Sequence, residues 1–208
     1  MTRTRNAKGQ GARLRDDILE AGMVVLAEAA DARQVTIRAV AAAAGVTPPS
    51  IYLYFPDRAA LLRALVQRGF QMFDRVLDEA ARGISDPRDA LRRRSHAYIA
   101  FAAVHPGEYR VVFSAAGLGP EELEVPPGER HPGHPSFEAL VAAVVPCVPP
   151  NSDPLFVAVQ LWSFLHGLAD LRLTKPELPW PAAEELIDAT LVRLGVGQGG
   201  GAVGLLHP

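Results

Sequence analysis

Apolar side chains recur at helical spacing along nearly the whole chain. From Ala12 to about Ala30, Leu14, Ile18, Val25, Leu26 and Ala29 follow steps of three, four and seven, which predicts a first helix. Thr36 is a good N-cap for a second helix, Ile37–Ala44, which Gly45 ends. Thr47 caps a third, with Pro48 at the first position, where a missing N–H costs little. Pro56 breaks it after about two turns. Asp57 then caps a long helix through about Arg82, with Leu61, Leu62, Leu65, Phe73, Val76 and Leu77 as core candidates. A fifth helix runs from Asp86-Pro87 to His105, and Pro106 starts a sixth carrying Tyr109, Val112 and Phe113. Residues 117–135, rich in Gly, Pro and Glu, predict a mobile loop. Ser136–Val145 is a short apolar helix stopped by Pro146, Pro149 and Pro150. Ser152 or Asp153 caps a helix reaching Leu173, and Trp180 or Pro181 opens a last one to Leu194. No strand alternation and no internal repeat is visible, so the fold class is all-α.

Composition narrows the function classes. The chain has 208 residues, 49% apolar and 21% charged, which suits an ordinary soluble protein with a real core. The single Cys147 excludes an intrachain disulfide framework and a multi-Cys zinc site. The N-terminus lacks a signal-peptide apolar run, and no segment reaches the ~18 apolar residues of a membrane span; a cytoplasmic location is expected. Net charge is −2, but residues 1–60 hold eight basic and six acidic side chains. Arg3, Arg5, Lys8, Arg13 and Arg15 open the chain with no acid among them. A basic end on an acidic body suits a small DNA-binding head, although a solvated tail has the same composition.

The segment Val40–Arg58 fits that head. It reads as a short helix, a Gly turn, a second short helix and a restart, the layout of a helix-turn-helix. Ala39, Ala41–Ala44 and Gly45 let two helices cross closely, and Gly45 can adopt the positive φ that the turn needs. Val40, Val46, Ile51 and Phe55 lock the second helix onto its neighbours. Its other face carries Thr47, Pro48, Pro49, Ser50, Tyr52 and Tyr54, hydroxyls and compact apolar groups that can approach base edges, thymine methyls and phosphates. An Ala-rich hairpin with two exposed tyrosines is the plainer alternative.

From about Arg13 to Leu65 the chain resembles the TetR family of bacterial repressors. The resemblance rests on Ile18–Gly22, Thr36–Ala41, Ala44-Gly45-Val46, Ile51–Phe55 and Asp57–Leu62. It implies that Thr36 contacts phosphate at a helix N-terminus, that Thr47, Pro48, Pro49 and Ser50 face the major groove, and that Tyr52 and Tyr54 contact backbone or adjoining bases. It further implies that Arg58, in place of the usual Lys, holds phosphate, and that Arg38 reaches a base or phosphate. Pro48-Pro49 departs from the longer polar residues often found there, so readout is expected to lean on Arg38, Thr47, the tyrosines and DNA shape.

The family places a variable ligand-binding and dimerisation domain after the fourth helix. His105–Arg110 and Leu161–Leu168 resemble a C-terminal subfamily marked by a Trp–His–Gly segment. The residues agree in part. The helix over 153–173 is apolar on nearly every face, so one face can meet the core and another a second subunit, with Gly167 and Ala169 allowing close approach. With the one-faced helix over 181–194 it makes a candidate four-helix homodimer interface. Tyr98, Phe101, Phe113, Trp162 and His166 are candidates to line an effector pocket, or else plain core residues. His131 and His134 read as solvated loop histidines; no metal and no cofactor is expected.

The organisation expected is a flexible basic arm (1–11), a helix-turn-helix domain (12–58), a helical effector-binding and dimerisation domain (59–195) and a disordered tail (196–208). The function expected is a homodimeric repressor released from a pseudo-palindromic double-stranded DNA operator by an unidentified small molecule, with the long fourth helix as lever. The rivals are a helical enzyme or small-molecule binder, and an effector-independent DNA-binding dimer. No catalytic pair, phosphate-cradling loop or nucleotide fingerprint supports an enzyme.

Overall fold

The structure, a computed structural model, describes residues 10–29, 32–113 and 125–196. Most of the basic arm, the first part of the loop at 117–135 and nearly all of the C-terminal tail lie outside them. Among the described residues the chain is helical and without strands. The α-helices are α1 (Gln10–Glu28), α2 (Ile37–Ala43), α3 (Pro48–Tyr52), α4 (Arg58–Ala81), α5 (Pro87–Val104), α6 (Pro106–Phe113), α7 (His134–Val144), α8 (Pro154–Thr174) and α9 (Ala183–Arg193).

The chain forms two compact units, neither continuous in sequence. The first holds residues 1–72 and 105–134; the second holds 73–104 and 135–208. This division does not follow a boundary at residue 58, because α4 gives its first part to one unit and its last part to the other, and α6 joins the first.

In the first unit, Ile18, Leu19 and Leu26 of α1, Val40 and Ala41 of α2, Ile51 of α3, Phe55, and Leu61, Leu62, Leu65 and Phe70 of α4 make one core, with Val112 of α6. The side chains supply their own stops and starts. Thr36 Oγ1 accepts the Ala39 N–H at 3.1 Å and Asp57 Oδ1 the Ala60 N–H at 2.6 Å. Gly45, at φ 66°, makes the turn after α2. Helix α1 begins two residues earlier than the apolar pattern predicts. Gln10 and Gly11 are its first residues, not part of an arm, and Gly11 lies near the Tyr54 hydroxyl.

In the second unit α5 packs on α8, α9 and the turn Val145–Cys147. Its core includes Phe73, Leu91, Tyr98, Phe101, Cys147, Leu161, Leu165 and Ile187. Asp86 caps α5 through the Arg88 and Asp89 N–H groups, and Asp153 caps α8 through those of Leu155 and Phe156. Arg92 donates to both carboxylate oxygens of Asp188 at 2.6 and 2.7 Å, tying α5 to α9. Helix α9 starts at Ala183, later than Trp180 or Pro181. Trp180 Nε1 donates to the Lys175 carbonyl, its ring lies under the Arg172 guanidinium, and Arg172 donates to the Pro181 carbonyl, which holds this link as a turn. Val196 belongs to the ordered end, not to a tail: its N–H returns to the Leu191 carbonyl and its side chain is buried.

Helix α8 departs from one expectation. At 21 residues it is long and apolar enough to cross a membrane by length and composition, as core helices of soluble proteins also can be. It buries Val157, Leu161, Leu165 and Leu168, and carries Gln160, Ser163, His166 and Asp170 among them. Within the chain, a Cβ at Gly167 would meet nothing within 4 Å, so its surface is open to a partner.

Candidate nucleic-acid interface and candidate effector residues

The five residues of α3 are too few to hold a helix alone. Ile51, fully buried, and Phe55, at 2% exposure, fasten the segment to the core. Residues at 100° and 200° around a helix from Ile51 must then point away from that core. These are Tyr52, 53% exposed, and Leu53, 76% exposed. Leu53 was not singled out from the sequence, yet the Ile51–Phe55 spacing already carries the signal. Tyr54 differs from Tyr52: it is half-buried and packs against the core.

The start of α3 corrects one expectation. Thr47 makes no side-chain cap to the backbone. Pro48 and Pro49 have no N–H, so the first donor available is Ser50, whose N–H bonds the Thr47 carbonyl at 2.9 Å. The Thr47 and Ser50 hydroxyls instead lie 3.0 Å apart, within hydrogen-bond reach of each other. Pro49 is exposed and Pro48 and Ser50 are half-exposed.

Thr36 is exposed at the N-terminus of α2, and Arg38 is exposed two residues further on. Arg58, half-buried at the first residue of α4, donates from Nε to the Val35 carbonyl at 2.9 Å. Arg15 stands over the Phe55 ring, 5.3 Å from its centroid. Arg68 reaches from α4 to Asp16 and Glu20 of α1, at 3.4 and 3.3 Å.

The five effector candidates have the following neighbours. Tyr98 and Phe101, both buried, meet Phe73 edge-on with ring centroids 5.1 and 5.3 Å away. Trp162 is 39% exposed and lies near Phe137 at 5.7 Å and His166 at 6.2 Å. Burial pushes the His166 imidazole below its ordinary value, against the pull of Asp170. Phe113 belongs to the first unit, where it meets Phe70 and Tyr109.

A polar pair missed from the sequence stands in the second unit. Ser136 Oγ donates to Asp74 Oδ2 at 2.8 Å. Burial raises the Asp74 carboxyl above its ordinary value, Asp78 adds to this, and the Ser136 bond and Arg94 oppose it. The signal was its place between Phe70, four residues before, and Leu77, three after, on the apolar stripe of α4.

Two family models match. Residues 18–65 match bacterial regulatory proteins of the tetR family, and residues 91–194 match the tetracyclin repressor-like C-terminal domain. Both segments of the local C-terminal resemblance, 105–110 and 161–168, fall within the second match. The HTH-type transcriptional regulator EthR of Mycolicibacterium smegmatis is 28% identical over 59% of this chain and 59% of its own length. The HTH-type transcriptional repressor LfrR of the same organism is 37% identical over 45% of this chain and 48% of its own. The chain therefore spans about half to three-fifths of these relatives. Among solved structures, the fatty acid degradation regulator FadR from Bacillus halodurans has a TM-score of 0.68 at 18% identity, covering 98% of this chain and 100% of that one. FadR from Bacillus subtilis, solved in complex with stearoyl-CoA, has 0.68 at 15%, covering 88% and 98%. These likenesses fix the fold. With one family model over the exposed α3 and a second over the helical body, this chain belongs to the TetR family of bacterial regulatory proteins.

Proposed function

We propose that the chain is a homodimeric transcriptional repressor that binds a pseudo-palindromic DNA operator and leaves it when a small molecule binds the helical body. The observation that carries this reading is α3, whose Ile51 and Phe55 are locked in the core while Tyr52, Leu53 and Pro49 stand open to solvent. An exposed apolar and aromatic tip on so short a helix has no folding purpose, and a major groove offers it thymine methyls and backbone. Thr47, Pro48, Ser50 and Tyr54 border this tip, and Thr36 and Arg38 extend the surface to α2. The role is regulatory, not catalytic, and is exercised where the chromosome is, in the cytoplasm.

Dimerisation is supported by the open face of α8. Leu155, Phe156, Val159, Trp162 and Leu171 are each between 39% and 61% exposed, and Val192 of α9 is 60% exposed. Leu155, Val159 and Trp162 share one side of the helix, and such exposed apolar groups call for a partner surface, which a second copy of α8 and α9 supplies as a self-complementary one. The effector is sought among apolar molecules. The aromatic groups of the second unit favour them, and a structural neighbour holds stearoyl-CoA.

The test is Tyr52→Ala on a duplex that the wild-type protein selects from a random library. Affinity should fall about ten-fold or more while melting temperature and dimer mass stay unchanged; equal affinity overturns the reading of the head. Affinity should also drop steeply with salt as phosphate contacts release counterions.

A further inference from the structure

We infer that the head reads the ring methyl of a pyrimidine and not the hydrogen-bonding pattern of a base pair, so that thymine and 5-methylcytosine serve it alike where α3 meets the operator. This rests on the proposed DNA-binding reading of the head. Ile51 is fully buried and fixes which way α3 faces. At about 100° per residue, Pro49 and Leu53 then lie roughly 160° and 200° from it, four residues apart on the outermost line of the helix. Leu53 is the C-cap and keeps helical backbone angles, φ −68° and ψ −23°, so that line runs unbroken to the end of α3. Both residues are exposed. Neither side chain carries a donor or an acceptor, and Pro49 has no N–H. Beside this line the Ser50 hydroxyl lies 3.0 Å from that of Thr47, so one of their two protons is held between them.

A major groove presents the donors and acceptors of each base pair and one apolar group, the thymine methyl. A proline ring or a leucine side chain laid on an amino or carbonyl edge strips it of water and returns no hydrogen bond, a net cost. Laid on a methyl, it buries apolar surface on both sides. The line from Pro49 to Leu53 therefore rewards a methyl and penalises a bare polar edge. Cytosine lacks that methyl, and 5-methylcytosine carries it on the same ring carbon, so the preference follows the methyl across two different bases. The exposed Tyr52 and, from α2, the exposed Arg38 supply polar groups beside the line, where contacts to phosphate set the register.

The test exchanges bases in the duplex that the wild-type protein selects from a random library. Each thymine in turn is replaced, in both half-sites, by deoxyuridine, which lacks only the methyl. One buried methyl is worth about four-fold in affinity, so losing the symmetric pair should weaken binding about ten-fold or more at the position under α3. There a cytosine–guanine pair should be as weak, and 5-methylcytosine–guanine should return to within about three-fold of thymine. At least one of Leu53→Ala and Pro49→Ala should cut the uracil penalty below about three-fold, with an unchanged melting temperature, since both residues are exposed. The inference is overturned if no uracil exchange weakens binding, if plain cytosine binds as well as thymine, if 5-methylcytosine stays more than about three-fold weak, or if neither variant cuts the penalty. Should Pro49→Ala disturb the fold, Leu53→Ala and the base exchanges decide alone. If the wild-type protein selects no duplex, the DNA-binding reading itself has failed, an outcome separate from any ranking of the bases.

Discussion

Gly107 stands where a Cβ would lie 2.4 Å from the Ala27 carbonyl oxygen and 2.5 Å from its Cα. The obstacle is backbone, which cannot step aside as a side-chain tip can. Gly107→Ala should therefore lower stability by about 1–3 kcal/mol, even though Ala is the better helix former by roughly 1 kcal/mol; a raised melting temperature would refute the contact. Asp74 gives a second prediction. Its folded carboxyl is raised by burial above the ordinary 3.8, so the folded state binds a proton more readily than the unfolded one. Keeping it charged costs stability at neutral pH, and that cost fades as pH falls through the raised value toward 3.8. Asp74→Asn retains an acceptor for Ser136, so it should raise the melting temperature at neutral pH, with the gain vanishing in acid. At this scale the sequence was legible where a side chain serves its own turn, as Thr36, Asp57 and Asp153 do. It was opaque where the partner is distant, as with Arg58 and Val35, or Ser136 and Asp74.

At the scale of elements, prolines and cap residues announced most helix ends, and α2, α4, α5 and α6 lie where the pattern put them within a residue or so. Helices α1 and α7 each start two residues before the apolar pattern puts them, and α9 starts later, after the Trp180–Arg172 stack. Helix α3 shows what periodicity cannot weigh, because its existence depends on two side chains. Ile51→Ala should cost about 2–5 kcal/mol and abolish DNA binding together with the fold of the head, as read by thermal unfolding. Tyr52→Ala should leave the same unfolding curve untouched.

At the scale of the molecule, the all-helical class and the family were readable because the helix-turn-helix residues are local in sequence. The five effector candidates were chosen by residue type alone. Tyr98, Phe101, Trp162 and His166 belong to the second unit and Phe113 to the first. The open face of α8 yields the prediction that belongs here. Phe156→Glu, at a position 61% exposed, should leave the chain folded and convert a dimer to monomers in analytical ultracentrifugation. Operator affinity should fall with it, since a lone head holds one half-site; a dimer that survives the substitution would place the interface elsewhere.

The interrupted course of the chain also sets a timetable during synthesis. The head takes residues up to 72, then waits for 105–134 to bring Val112 into its core and Gly107 against Ala27. At ~5–20 residues per second, that gap of 62 positions between residues 72 and 134 occupies roughly 3–12 s on the ribosome. For those seconds the nascent head has an uncovered apolar flank. Ribosome-bound chains halted near residue 72 should be protease-sensitive and chaperone-bound, and chains halted well past 134 should be neither.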